Sequence, residues 1–277
     1  MEAEMNALSM ERKIQVLNAL VEGHSIRSIE RMTGTNRNTT MTLLKSVGQH
    51  CYALLDQRMQ NIQTKRVQVD ELWTFVQKKQ KQANLDEVRN PDVGDQYIFV
   101  ALDADTKLIP SFLIGKRTAE NTRHFLRDLQ WRIATERFQL TTDGFDPYRT
   151  AVEEVFGIGL DYSQLIKVYQ PGEANRERYS PSPFLTAVKT PITGNPDHAH
   201  ISTSFVERQN LTLRMSLRRL TRLTNAFSKK LSHLKAALAL HFAHYNFIRV
   251  HKTLRITPAM AAGITDHVWG WEELLTS

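Results

Sequence analysis

The sequence predicts an α/β protein, a mixed sheet flanked by helices, with an all-α segment ahead of it. Three observations carry this. Over the first sixty or so residues apolar side chains recur at the helical period. From residue 66 they alternate at the strand period, and after residue 118 helical and strand patterns take turns. At 277 residues the chain is long enough for one large domain and a small one. The expected division is 1–62 and 66–277, with 170–199 as an irregular Pro-rich insertion and 228–277 as a helical closure.

Composition bounds the function. The hydrophobic fraction of 41% and charged fraction of 23% are those of an ordinary globular protein. The net charge of +7 favours a polyanionic partner, nucleic acid first. The single Cys51 excludes a disulfide framework within the chain and a zinc site of paired cysteines, and fits a reducing, cytoplasmic compartment. No apolar run approaches membrane-spanning length, and the N-terminus lacks the apolar core of a signal peptide, so no membrane partner is expected.

Residues 9–22 read as a helix, with Ile14, Leu17, Leu20 and Val21 on the inner face, Ser9 as cap and Gly23 as stop. Ser25 caps a short second helix that turns Ile26, Ile29 and Met32 inward. Gly34-Thr35-Asn36 is a tight turn, and a third helix follows through residue 55, with Met41, Leu44 and Val47 inside. Two helices joined by a short Gly-containing turn have helix-turn-helix geometry, in which the N-terminal side chains of the second helix reach DNA. Arg37, Asn38, Thr39, Thr40, Thr42 and Lys45 stand there, and Arg37 and Asn38 are the expected contacts. The competing reading is a three-helix bundle used only for packing.

Residues 66–76 alternate, with Val67, Val69, Glu71, Trp73 and Phe75 on one face and Asp70 on the other. A carboxylate in mid-strand is disfavoured, and if buried it needs a metal or a cation. Residues 78–91 read as a hairpin loop, 97–104 and 108–114 as the next strands, and Asp103 and Asp105 as turn residues between them. Thr118 caps a helix that points Phe125, Leu129, Trp131 and Ile133 inward; His124 on it reads as a packed or exposed histidine. A short strand then ends at Asp143-Gly144, the edge where α/β sheets bind ligands. Asp146-Pro147 reads as cap and first residue of the next helix, a structural task that Asp143 lacks. Residues 161–169 form another strand. His198 and His200 read as an incidental pair. Residues 201–222 read as one helix with Val206, Leu213, Leu217 and Leu220 inside, Arg208, Arg218, Arg219 and Arg222 outside, and Glu207 at the seam with Asn210 and Arg214 stacked nearby. A long helix over 228–250 follows, striped with Leu231, Leu234, Leu238, Phe242 and Tyr245.

Three strands, then helix, strand, helix, strand and a helix bearing an acid is the order of a ribonuclease-H-like domain. Asp70, Asp143 and Glu207 stand out on it, and phosphoryl transfer by two divalent ions needs such a carboxylate set. The stretches VDELWTFV, TTDG and SFVERQNLTLRMSLRRLTR resemble the three acidic blocks of DDE transposases, most closely those of the insertion-sequence-one family. HYNFIRVHKTLRITPAMAAGI is similar to the tail of bacterial insertion-sequence transposases. The resemblance covers 66–263. It implies DNA cleavage at element ends and strand transfer into target DNA, by a homo-oligomer on double-stranded DNA, nucleoid-associated when bound. It implies Mg²⁺ or Mn²⁺ as cofactor and Asp70, Asp143 and Glu207 as its catalytic ligands. Asn210 and Arg214 would lie behind the acids or on a phosphate, and Arg208, Arg218, Arg219 and Arg222 on the DNA backbone. Members often begin with a Cys-based zinc-binding segment, which a chain with Cys51 alone does not carry. The alternative is a helix-turn-helix regulator with an inert or nuclease-only body.

Overall fold

The computed structural model describes residues 8–170 and 183–277. Three helices come first: α1 (Met10–Val21), α2 (Ile26–Thr33) and α3 (Arg37–Arg58). Ser9, Ser25 and Asn36 each accept a backbone N–H in the first turn of the helix that follows, and Gly34 ends α2 in the left-handed conformation. The strand body begins with β1 (Arg66–Val76). The expected hairpin loop instead contains α4 (Leu85–Arg89), started by a capping box of Asn84 and Glu87. Then come β2 (Gly94–Asp103), β3 (Ser111–Gly115), α5 (Ala119–Arg132), β4 (Gln139–Thr142), α6 (Asp146–Phe156), β5 (Asp161–Tyr169) and β6 (Phe184–Thr193). The chain closes with α7 (Ser204–Ser216), α8 (Leu231–Ala243), α9 (Pro258–Ala261) and α10 (Trp271–Thr276).

The six strands form one mixed sheet in the order β3-β2-β1-β4-β5-β6. β1, β2 and β3 are antiparallel neighbours, β4 and β5 run parallel to β1, and β6 returns antiparallel. This is the ribonuclease-H-like arrangement expected, with one more strand at the far edge. β6 lies within 170–199, the segment expected to be irregular. Pro191 is accommodated where the β5–β6 register shifts, so its missing N–H breaks no regular ladder. The part of that insertion at 171–182, with Arg176 and Arg178, lies outside the described residues.

Helices cover both faces. On one, Val67, Val69, Phe99 and Leu140 pack against Phe125 and Leu129 of α5 and Tyr148 and Val152 of α6. On the other, Leu72, Val76, Ile98 and Val100 join a larger core built from α7, α8 and the three N-terminal helices. The buried residues of α1–α3 thus belong to the same cluster as the sheet. α3 lies against α8 so closely that a Cβ on Gly48 would meet the Ala236 Cα and O at 2.5 Å. Past α8 the backbone widens into a π turn at His244–Ile248, ending the long helix early. That turn delivers Asn246, whose amide accepts from Ile109 N at 3.1 Å and donates to Ile109 O at 3.0 Å, clamping the β2–β3 connection. Trp131, expected inside, is 64% exposed.

Candidate active site

The site follows from how far β1 and β4 run together. β4 pairs only with Arg66–Gln68 of β1 and then ends. β1 continues beside β2, with Asp70 opposite Val100 and Glu71 opposite Phe99. Asp70 and Glu71 therefore lie where the parallel pair diverges, next to Asp143 on the residue after β4. Such a gap at strand C-termini is where α/β sheets place ligands.

Each acid is held differently. Asp70 faces α7, and its Oδ2 accepts from Asn210 Nδ2 at 2.8 Å. Glu71 points to the opposite face, its side chain 2% exposed. There it lies against the Tyr148 hydroxyl, yet Glu71 Oε1 and Tyr148 Oη are both buried without a hydrogen-bond partner. Asp143 Oδ1 accepts from Phe145 N at 3.0 Å. This reverses the expected division of labour: Asp143 secures the turn into α6, while Asp146 is a residue of the helix and caps nothing. Arg117, from the β3–α5 connection, reaches Glu71 Oε2 at 3.3 Å and Asp143 Oδ2 at 3.5 Å. Its guanidinium is fixed over the Phe145 ring, 3.8 Å from the centroid.

α7 is fastened alongside β1. Gln68 Oε1 accepts from the N–H groups of Phe205 at 2.9 Å and Val206 at 3.2 Å, two donors that a helix start leaves free. Asn210 then meets Asp70, and Arg214 donates to Trp73 O at 3.1 Å. Four helical residues advance about 6 Å and two strand residues about 6.6 Å, so Val206, Asn210 and Arg214, spaced by four on α7, meet Gln68, Asp70 and the Trp73 carbonyl of β1 in turn. Arg214 also donates to Leu220 O at 3.2 Å and so ties α7 to the turn that follows it.

Glu207, in the first turn of α7, is paired with Lys167 of β5, and its Oε1 accepts from Thr203 Oγ1 at 2.5 Å. Among the described residues the acids whose ligand atoms converge, all within 4.8 Å of one another, are Asp70, Glu71 and Asp143. Glu207 stands near enough for its charge to act on Asp70 and Asp143 but is turned toward Lys167. His198 and His200 are elsewhere, His200 beside Asp197.

Charge crowding shows in the protonation equilibria. Burial first, and the Asp143 charge second, push Asp70 up to about 6. The same two causes push Glu71 up to about 7. Burial also raises Asp143, opposed by the Phe145 N–H and by Arg117. Converging carboxylates, the orphaned Glu71 Oε1 and a donor set of oxygens alone suit a hard divalent cation of the Mg²⁺ or Mn²⁺ kind. Glu71, Arg117 and the site role of Lys167 were not read from the sequence. The signal available for Glu71 was the Asp70-Glu71 pair itself, since adjacent acids on a strand covered on both faces cannot both reach solvent.

The expected arginine face is changed. α7 stops at Ser216, and Leu217 is extended. Leu217 and Leu220 still join the core, the latter through a 3₁₀ turn at Arg218–Leu220, so the apolar stripe persists without the helix. Arg208, Arg218 and Arg222 are exposed. Arg219 instead folds inward to Ser228 Oγ at 3.3 Å and the Met41 sulfur at 3.5 Å. On α3, Arg37 and Asn38 are exposed, with Arg37 paired to Glu30 at 3.0 Å, whereas Thr40 is fully buried and leaves the candidate surface.

No family model matches this chain, and no curated protein matches it. Among solved structures it is similar to a piggyBac transposase synaptic complex with hairpin DNA, at 9% identity and a TM-score of 0.41, over 99% of this chain and 72% of that one. It is similar to the Mos1 strand transfer complex at 14% identity and a TM-score of 0.23, over 55% of this chain and 57% of that one. A Mos1 transposase paired-end complex with the left transposon end shows 13% identity and a TM-score of 0.21, over 55% of this chain and 59% of that one.

Proposed function

We propose that this chain is a DDE-type transposase, nearest to the insertion-sequence-one family by its sequence blocks, that cleaves DNA at element ends and joins them to target DNA. The observation that carries the reading is the convergence of Asp70, Glu71 and Asp143 within 4.8 Å at the diverging ends of β1 and β4. Repelling acids so placed destabilise the protein unless a divalent cation or a proton offsets them.

In this reading Asp70, Asp143 and Glu207 hold Mg²⁺ or Mn²⁺, with Glu71 beside them. A divalent cation held there would supply charge to activate an attacking oxygen and to stabilise the leaving oxygen of an in-line displacement. Water attacks the phosphodiester at the element end and its P–O3′ bond breaks to free a 3′-hydroxyl, which then attacks a target phosphodiester, forming a new P–O bond as the target's own 3′-oxygen leaves. Asn210 keeps Asp70 oriented through its amide. Arg117 holds Glu71 and Asp143 in place between them. Arg208, Arg218 and Arg222 bind the DNA backbone, and α1–α3 act as a helix-turn-helix domain with Arg37 and Asn38 at the DNA. The working form is a homo-oligomer assembled on DNA ends.

The test is strand transfer with pre-cleaved duplex ends and Mg²⁺. Asp70→Asn, Asp143→Asn and Glu207→Gln should each abolish joining and leave duplex binding intact. Full joining by any one of them, or joining that persists in chelator, would sink the assignment. Metal-dependent nicking without joining would make the chain a nuclease of the same fold.

A further inference from the structure

A second site lies at the other end of α7. A cavity of 640 Å³ opens between the α1–α2 corner, α3, α8 and the chain after α7. Its size falls within the range of about 300–1,000 Å³ usual for small-ligand sites. Arg27, Arg218, Arg219, Lys229 and His233 line it, and among the described residues no acidic one does. Its floor is apolar, with Leu44, Leu217 and Leu240, and Phe227 stands in one wall. The Phe227 ring packs on Phe75, 4.8 Å between centroids, and carries the Lys229 ammonium 3.4 Å from its own centroid.

Arg219 is the unusual member. Its guanidinium meets a hydroxyl and a thioether, and no carboxylate of the described residues pairs with it. Burial draws it down to about 10. The same field holds His233 below its ordinary range, by burial first and then by Arg219, Lys230 and Lys45. A half-buried cation without a counter-charge weakens a fold, and a bound anion removes that penalty. An anion on Arg219 with an apolar flat body against Phe227 and the leucines satisfies both halves of the cavity. A base still paired in a duplex could not enter a pocket closed by helices on several sides, so the base must be unpaired.

We propose that this cavity binds a nucleotide with an unpaired base, its phosphate on Arg219 and Arg218 and its base on the apolar floor beside Phe227. A DNA strand is the source that fits the rest of the surface, a clause that rests on the function proposed above. Glu207 and Ser216 are nine residues apart on α7, about 13.5 Å of helix, and Leu217 follows. The outer face between them carries Arg208, Leu211 and Met215, all exposed. A strand leaving the acid cluster along that face arrives at the cavity.

The experiment uses the full chain with a labelled short single-stranded oligonucleotide, with deoxyadenosine 5′-monophosphate as competitor and a labelled duplex in a separate arm. Arg219→Gln should weaken single-strand binding roughly tenfold or more, the worth of one charge-assisted hydrogen bond. Without ligand it should melt at or above wild type, because it removes a half-buried charge that no carboxylate of the described residues offsets. A purely structural Arg219 gives the reverse, a lower melting temperature with unchanged affinity, and overturns the proposal. Arg218→Gln, on an exposed side chain that shares the phosphate, provides the same affinity readout if Arg219→Gln does not fold, and unchanged binding there overturns it equally. Competition by the mononucleotide at the oligonucleotide's own concentration makes the free nucleotide the ligand and overturns the strand clause; its failure to compete supports that clause. If wild type fails to bind the duplex, the DNA function falls, while the mononucleotide arm still decides the cavity.

Discussion

Asp70→Asn exchanges a carboxylate for a neutral group of the same shape that can still accept from Asn210. In the folded protein Asp70 is raised from 3.8 to about 6, by burial first and then by Asp143. For an acid whose folded value is raised, folding favours the protonated form. Its contribution is fully present below the unfolded value and is lost as pH rises through the folded one. A shift of about two units corresponds to about 3 kcal/mol, an upper bound because Asp143 and Glu71 readjust when Asp70 changes. The variant should therefore match wild type near pH 4 and exceed it by roughly 2–3 kcal/mol at pH 8, some 5–10 °C in melting temperature for a chain of this size. The assay is thermal or urea unfolding of both proteins in chelator, at pH 4.5, 6 and 8. A variant no more stable than wild type at pH 8, or one with the same advantage at all three values, refutes the account of the acid cluster.

Gly48→Ala gains about 1 kcal/mol of helix propensity but drives a methyl into the Ala236 backbone, an overpacking penalty of about 1–3 kcal/mol. It should lower the urea midpoint, and a rise would show that α3 and α8 can separate freely. Mn²⁺ should raise the melting temperature more at pH 8 than at pH 5.5, since Asp70 and Glu71, raised to about 6 and about 7, must lose their protons to bind it. An equal rise at both pH values would place the ion elsewhere.

Strands β1 to β5 were legible because each is a short alternating or apolar run bounded by turn residues. β6 was hidden by its prolines; Pro191 is tolerated only because the pairing slips beside it, and no local rule announces such a slip. The end of α7 was hidden for the opposite reason. The leucine period runs unbroken through Leu217 and Leu220 with no Gly or Pro, so periodicity alone extends the helix past Ser216 and sends Arg219 outward. At the candidate site, an acid in mid-strand and one at a strand end are local anomalies that a sequence displays. The parting of β1 from β4, which adds Glu71, and the reach of Arg117 and Lys167 are products of tertiary geometry.

The contact at Gly48 has a mechanical consequence. The N-terminal half of α3 offers Arg37 and Asn38 to the outside, and its C-terminal half is seated on α8 with no room for even a methyl group. A helix held this way is a beam set into a wall. Under the proposed function, the interval along DNA between the bases that α3 reads and the bond that is cut is a fixed dimension of the protein. Inserting one base pair into that interval should be resisted by bending or untwisting the DNA, because the protein has no hinge there to yield.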